Sequence, residues 1–150
     1  MNTAVDPYLV LKDQYEPRVL AMLERMAARL RRARLRVDEP VDLCGDDYCW
    51  GFSVHGAVDI DVSFRICESE QYDGTENGVN FAVDVLERGG AVVGGLCPYN
   101  FTDLAWVDLG DEGAVEDRFH LVEQHCCDGL VDLVVRHLRR AKRDAAKNDG

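Results

Sequence analysis

From residue 58 to residue 67 the chain alternates without a break. Val58, Ile60, Val62, Phe64 and Ile66 are apolar, and Asp59, Asp61, Ser63, Arg65 and Cys67 stand between them. A period of two puts each set on its own face of an extended strand. Such a strand must cover one face and can leave the other wet, which is the pattern of an antiparallel sheet layered on one side. The same alternation precedes it, with Tyr48, Trp50, Phe52 and Val54 against Cys49, Gly51, Ser53 and His55. It follows again in Val79, Phe81, Val83 and Val85 against Asn80, Ala82 and Asp84. Arg88-Gly89-Gly90 supplies a turn, residues 91–96 a fourth strand and residues 104–109 a fifth, with residues 41–44 a short strand in front. Parity constrains the first hairpin as well. An odd loop, His55-Gly56-Ala57, keeps the apolar residues of both strands on one face, whereas an even loop would set Val54 against Asp59.

Outside the strands the period lengthens to 3.6. Val19, Met22, Leu23, Met26, Leu30 and Ala33 form one stripe and predict a main helix over residues 17–36. Asp6-Pro7 suits a helix start, but Pro17 has no N–H to donate, so residues 1–16 are expected to form an arm or short helix, or to meet the main helix at a kink. Near the other end Val115, Phe119, Val122, Cys126, Leu130, Leu133 and His137 predict a long helix from residues 111–113 to about 147. Gly129 weakens it by about 1 kcal/mol relative to Ala. An alternative makes residues 110–113 a hairpin turn and starts the helix later. Helix, strands, helix, with no βαβ alternation, argues against a doubly wound parallel sheet. The expected fold is one α+β domain over residues 1–150: an N-terminal helix, an antiparallel meander of four to five strands and a long C-terminal helix. Both helices lie on one sheet face, and residues 140–150 form a basic tail.

The net charge of −11 is unevenly spread. Residues 37–135 hold 22 acids against Arg65, Arg88 and Arg118, while residues 1–36 and 136–150 are each net basic. An acidic middle repels nucleic acid, so no nucleic-acid partner is expected. The arginines near the helix ends suit the helix dipoles. No apolar run approaches the ~20 residues of a membrane span, and the first residues lack the basic start and apolar stretch of a signal peptide. These features predict a cytoplasmic protein with no membrane partner, reduced cysteines and no cofactor.

Several residues could carry chemistry. Asp59 and Asp61, with Asp84 on a neighbouring strand, could hold Mg²⁺ as a metal-dependent nuclease or phosphoesterase does. The competing reading is a solvated sheet face, and no lysine stands nearby to activate water. His120, Glu123 and Cys127 share a helix face, but nothing at fixed spacing supplies a fourth zinc ligand. Cys49 and His55 are about 20 Å apart along an extended strand and cannot touch. No nucleophile elbow or P-loop is present. Cys97-Pro98-Tyr99-Asn100-Phe101-Thr102, followed by Trp106, is an aromatic loop, and aromatics dominate interface hot spots. Tyr99, Phe101 and Trp106 are therefore candidate partner-binding residues, unless the loop folds back over the sheet. The segment from 130 to 138 is apolar around most of a helix, so Val131 and Val135 need cover from the first helix or from a homodimer partner.

The helix–meander–helix order and acidic surface resemble those of the small type III secretion chaperones in topology and charge. No motif is shared, so the resemblance assigns no residue a role. The expected function is a non-enzymatic protein-binding module: a chaperone, adaptor, inhibitor or immunity-type protein. The metal-dependent hydrolase is the alternative, and mimicry of DNA is weakened by the two basic helix ends.

Overall fold

Asp6 starts the first helix: its carboxylate accepts the Tyr8 N–H at 2.9 Å, and Pro7 occupies the first helical position of α1 (Pro7–Arg32). The computed structural model describes residues 6–43, 48–69, 78–96 and 106–148. α1 runs through Pro17 unbroken, so the expected arm or kink gives way to one helix. Pro17 and Asp13 are both exposed, so water can satisfy the Asp13 carbonyl that loses its helical partner. α1 also stops four residues short of Arg36. Arg34 takes a left-handed φ of 67°, and the Leu35 N–H returns to the Leu30 carbonyl at 3.2 Å. That reversal satisfies carbonyls of the last turn and frees the chain to enter the sheet.

The strands are β1 (Arg36–Val37), β2 (Val41–Asp42), β3 (Cys49–His55), β4 (Ile60–Ser69), β5 (Gly78–Glu87), β6 (Val92–Leu96) and β7 (Val107–Asp108). β3 to β6 form an antiparallel meander, β1 and β2 both add to β3, and β7 pairs with β5 beyond the end of β6. Arg36, expected to end the main helix, instead opens β1. The first hairpin has the expected parity, with Trp50 opposite Phe64, Phe52 opposite Val62 and Val54 opposite Ile60. Its loop spans residues 55–59, two residues longer than expected. His55 Nδ1 and Asp59 Oδ1 lie 3.3 Å apart and close it, while Val58 leaves the ladder and packs against the core.

α2 (Glu112–His125) is capped by Asp111, whose carboxylate accepts the Ala114 N–H at 3.1 Å. It continues through a π-helical turn (Cys126–Leu130) into α3 (Val131–Asn148). The anticipated long helix therefore exists, and the hairpin alternative at residues 110–113 does not. Cys126, Leu130, Val134 and Leu138 are all buried at successive steps of four. In a 3.6-residue helix each such step drifts about 40°. The wider π turn, which holds Gly129, absorbs part of that drift and keeps the stripe on the core.

All helices contact one face of the sheet, and the core lies between these layers. Its centre is aromatic. Phe119 of α2 meets Phe81 edge-on at 5.2 Å, lies 5.9 Å from Phe64, and has Tyr15 of α1 4.8 Å away. Among the described residues no helix is long and apolar enough to cross a membrane.

Candidate functional site

The residues singled out in the sequence fall into three places. On the outer sheet face, Arg88, in the turn after β5, reaches Asp59 at 3.0 Å and Asp61 at 3.1 Å. The Ser53 hydroxyl donates to Asp61 at 2.7 Å. Burial acts to raise the Asp61 carboxyl, but the hydrogen bonds from Ser53 and Arg88 outweigh it and hold the group below its ordinary value. Asp84 lies opposite Ser63 and is paired to Arg65 at 2.6 Å. Each of the three carboxylates is thus answered by a guanidinium, which a metal ion would have to displace. His55 extends the network, with Nε2 2.9 Å from Asp38, and the hydrogen bond to Asp38 raises its pKa. Among the described residues no three His, Cys, Asp or Glu side chains come together to hold a metal ion.

Trp106 is half-buried on this same face, packed against Cys67 and Ala82. Tyr99 and Phe101 lie outside the described residues. The chain itself covers Val131, which is 3% exposed, and Val135 is half-buried against the core. Glu123 is taken by Arg25 at 3.2 Å, and the Cys127 side chain lies outside the described residues.

The site the sequence reading missed lies between the N-terminal ends of α1 and α2. Glu116 accepts from the Tyr15 hydroxyl and from Arg18, both at 2.7 Å. The Arg18 guanidinium stacks 4.5 Å from the Phe119 ring centre. Hydrogen bonds from Arg18 and then from Tyr15 bring the Glu116 carboxyl down to about 2. Burial, with Glu116 beside it, raises the Tyr15 phenol. This buckle pins the helices together. N-terminal to it they enclose a cleft of about 340 Å³ lined by Pro7, Val10, Leu11, Gln14 and Tyr15 of α1, by Leu109, and by Glu112 and Val115 of α2. Val10 is 52% exposed, so apolar surface opens to water at the cleft mouth.

The surroundings are acidic. Residues 6–18 and 108–117 hold eight carboxylates against Lys12 and Arg18. Lys12 pairs with Glu16 at 3.4 Å and Arg18 with Glu116, so both cations already have partners. Among the described residues that line the cleft there is no Cys, Ser, Thr, Lys or His, and the Tyr15 phenol, held protonated, donates a hydrogen bond at neutral pH. The cleft presents apolar side chains, one carboxylate and one amide to whatever enters it. The two walls are about 100 residues apart in sequence, as the Tyr15–Glu116 bond shows with its separation of 101. The signal available in the sequence was Val10, an apolar residue on a stretch expected to form an arm or short helix. Compared with known proteins, the chain matches no family model, no curated protein and no solved structure.

Proposed function

We propose that this chain is a non-enzymatic module that binds another protein through the α1–α2 cleft, in the manner of a chaperone, adaptor, inhibitor or immunity-type protein of the reducing cytosol. The carrying observation is a contrast. The cleft opens the apolar Val10 to water beside the Tyr15–Arg18–Glu116 buckle, while the carboxylates a metal-dependent hydrolase would need are paired with guanidinium groups. Open apolar concavities rimmed by polar groups are where proteins receive partners. The acidic field around the cleft supports a protein partner over a nucleic acid. Self-association through the last helix has less support, because α1 and the core already cover Val131. The hydrolase alternative has less still, because Arg65 and Arg88 occupy the carboxylates it needs.

The test is capture from the native cell followed by reconstitution from purified components, with Val10→Gln in parallel. Val10 is half-exposed, so the variant should melt with the parent. A purified complex that forms with the parent and is lost in Val10→Gln supports the reading. A complex of equal strength with both, or metal-dependent turnover by the isolated chain, refutes it.

A further inference from the structure

The cleft also carries information about what it receives. We infer, resting on the reading above, that the docked segment is a basic amphipathic helix of the partner protein. Three observations point there.

The first is shape. Pro7, Val10, Leu11 and Gln14 span the first two turns of α1, about 12 Å at 1.5 Å per residue. The facing wall is the first turn of α2. A cleft between two helices, floored by Leu11, Leu109 and Val115, takes side chains spaced three and four apart on an incoming helix.

The second is charge. The two segments that form the cleft, residues 6–18 and 108–117, hold eight carboxylates against two cations, both of which are engaged inside the chain. The N-termini of α1 and α2 return about +0.5 elementary charge each, too little to reverse the sign. Glu112 lines the cleft itself. Asp6, Asp108 and Asp111 flank it, hydrogen-bonded to backbone N–H groups rather than to any cation among the described residues. An acidic or neutral helix would lose the long-range attraction this field offers, whereas a basic one gains in encounter rate and register.

The third concerns the chain's own basic helix. α3 beyond Leu138 carries Arg139, Arg140, Lys142, Arg143 and Lys147, so a second copy would meet the charge requirement. Its apolar side chains in that stretch are alanines only, which cannot fill an apolar cleft of this size. This stretch of a second copy is therefore not the inferred occupant.

The probes are three synthetic helices of about 18 residues with one leucine stripe at three- and four-residue steps. Their remaining positions are lysine and glutamine, glutamate and glutamine, or glutamine alone. Binding to the full chain is read by fluorescence anisotropy, and the size of the free chain by light scattering. The lysine version should bind at least about tenfold tighter than the glutamine version and lose about tenfold between 50 and 500 mM salt. The glutamate version should not bind. Val10→Gln should weaken the lysine peptide about tenfold, the value of one buried aliphatic contact. Glu112→Lys should weaken the lysine peptide and spare the glutamine one. Equal binding of lysine and glutamine peptides, with both lost in Val10→Gln, overturns the charge inference and leaves the cleft reading standing. Lysine-peptide binding that ignores Val10→Gln overturns it too, because the peptide then sits elsewhere on the acidic surface. So does a dimer of the free chain that Val10→Gln splits, since the occupant is then a second copy. Failure of every peptide, beside a native complex still lost in Val10→Gln, overturns the inference alone.

Discussion

Replacing Glu116 by glutamine removes the charge that buckles α1 to α2 and keeps the side chain's shape. The carboxyl falls from its ordinary 4.5 to about 2 because Arg18 and Tyr15 both donate to the charged form. Taken at full value that fall corresponds to roughly 3 kcal/mol. The side chain is 46% exposed, so water and salt screen the pair and the expected contribution is about 1 kcal/mol. The sign follows from linkage. A depressed carboxyl stabilises the fold in full above 4.5 and ceases to do so as pH falls toward about 2. Urea unfolding of parent and Glu116→Gln should therefore differ by about 1 kcal/mol at pH 7, keep that difference down to about pH 4.5, and converge near pH 2. In a double-mutant cycle Tyr15→Phe should couple to Glu116→Gln by at least about 0.5 kcal/mol, since they share one hydrogen bond. A difference independent of pH, or zero coupling, refutes the reasoning.

Three further outcomes follow from the geometry. In Gly51→Ala the new Cβ would meet the Val62 carbonyl and lie 2.8 Å from Leu43 Cδ1, so the backbone must move. The expected loss is at least about 2 kcal/mol by thermal melting, and a loss below about 0.5 kcal/mol contradicts it. Gly129→Ala should do the reverse and stabilise by about 0.5–1 kcal/mol, because its Cβ meets only the His125 ring at 3.5 Å, an ordinary contact. A measured loss there would mean the π turn requires glycine. His55 should titrate above its ordinary 6.5, because Asp38 and Asp59 both hold the imidazolium. Its stabilisation is complete below 6.5 and lost as pH rises through the raised value. Asp38→Asn should move the imidazole titration down by NMR, and a parent midpoint at or below 6.5 refutes the pairing.

Alternation made the sheet legible, since a period of two in β3, β4 and β5 admits one pairing parity and one buried face. The helices were legible as stripes but not at their ends. Arg34 turns α1 through a conformation that no local signal announced, and Pro17 suggests a short first helix or a kink because the sequence does not say which face of α1 water reaches. On the outer sheet face the structure pairs Asp59 and Asp61 with Arg88 and Asp84 with Arg65, and does not gather the three carboxylates into one cluster. That pairing depended on where Arg88 falls after the β5 turn, which only the register fixes. The cleft was illegible for a different reason. Pro7, Val10, Leu109 and Val115 look ordinary in their own segments, and only the packing of α1 against α2 gathers them.

Amide hydrogen exchange on the reconstituted complex tests the central claim most directly. Binding in the cleft should add protection in residues 7–15 and 109–116, which form its walls, and leave the outer sheet face unchanged. Exchange of α1's exposed first turns reports the local opening that a docked partner suppresses. Protection confined instead to Arg65, Asp84 and their neighbours on the open sheet face, or to α3, would contradict the account.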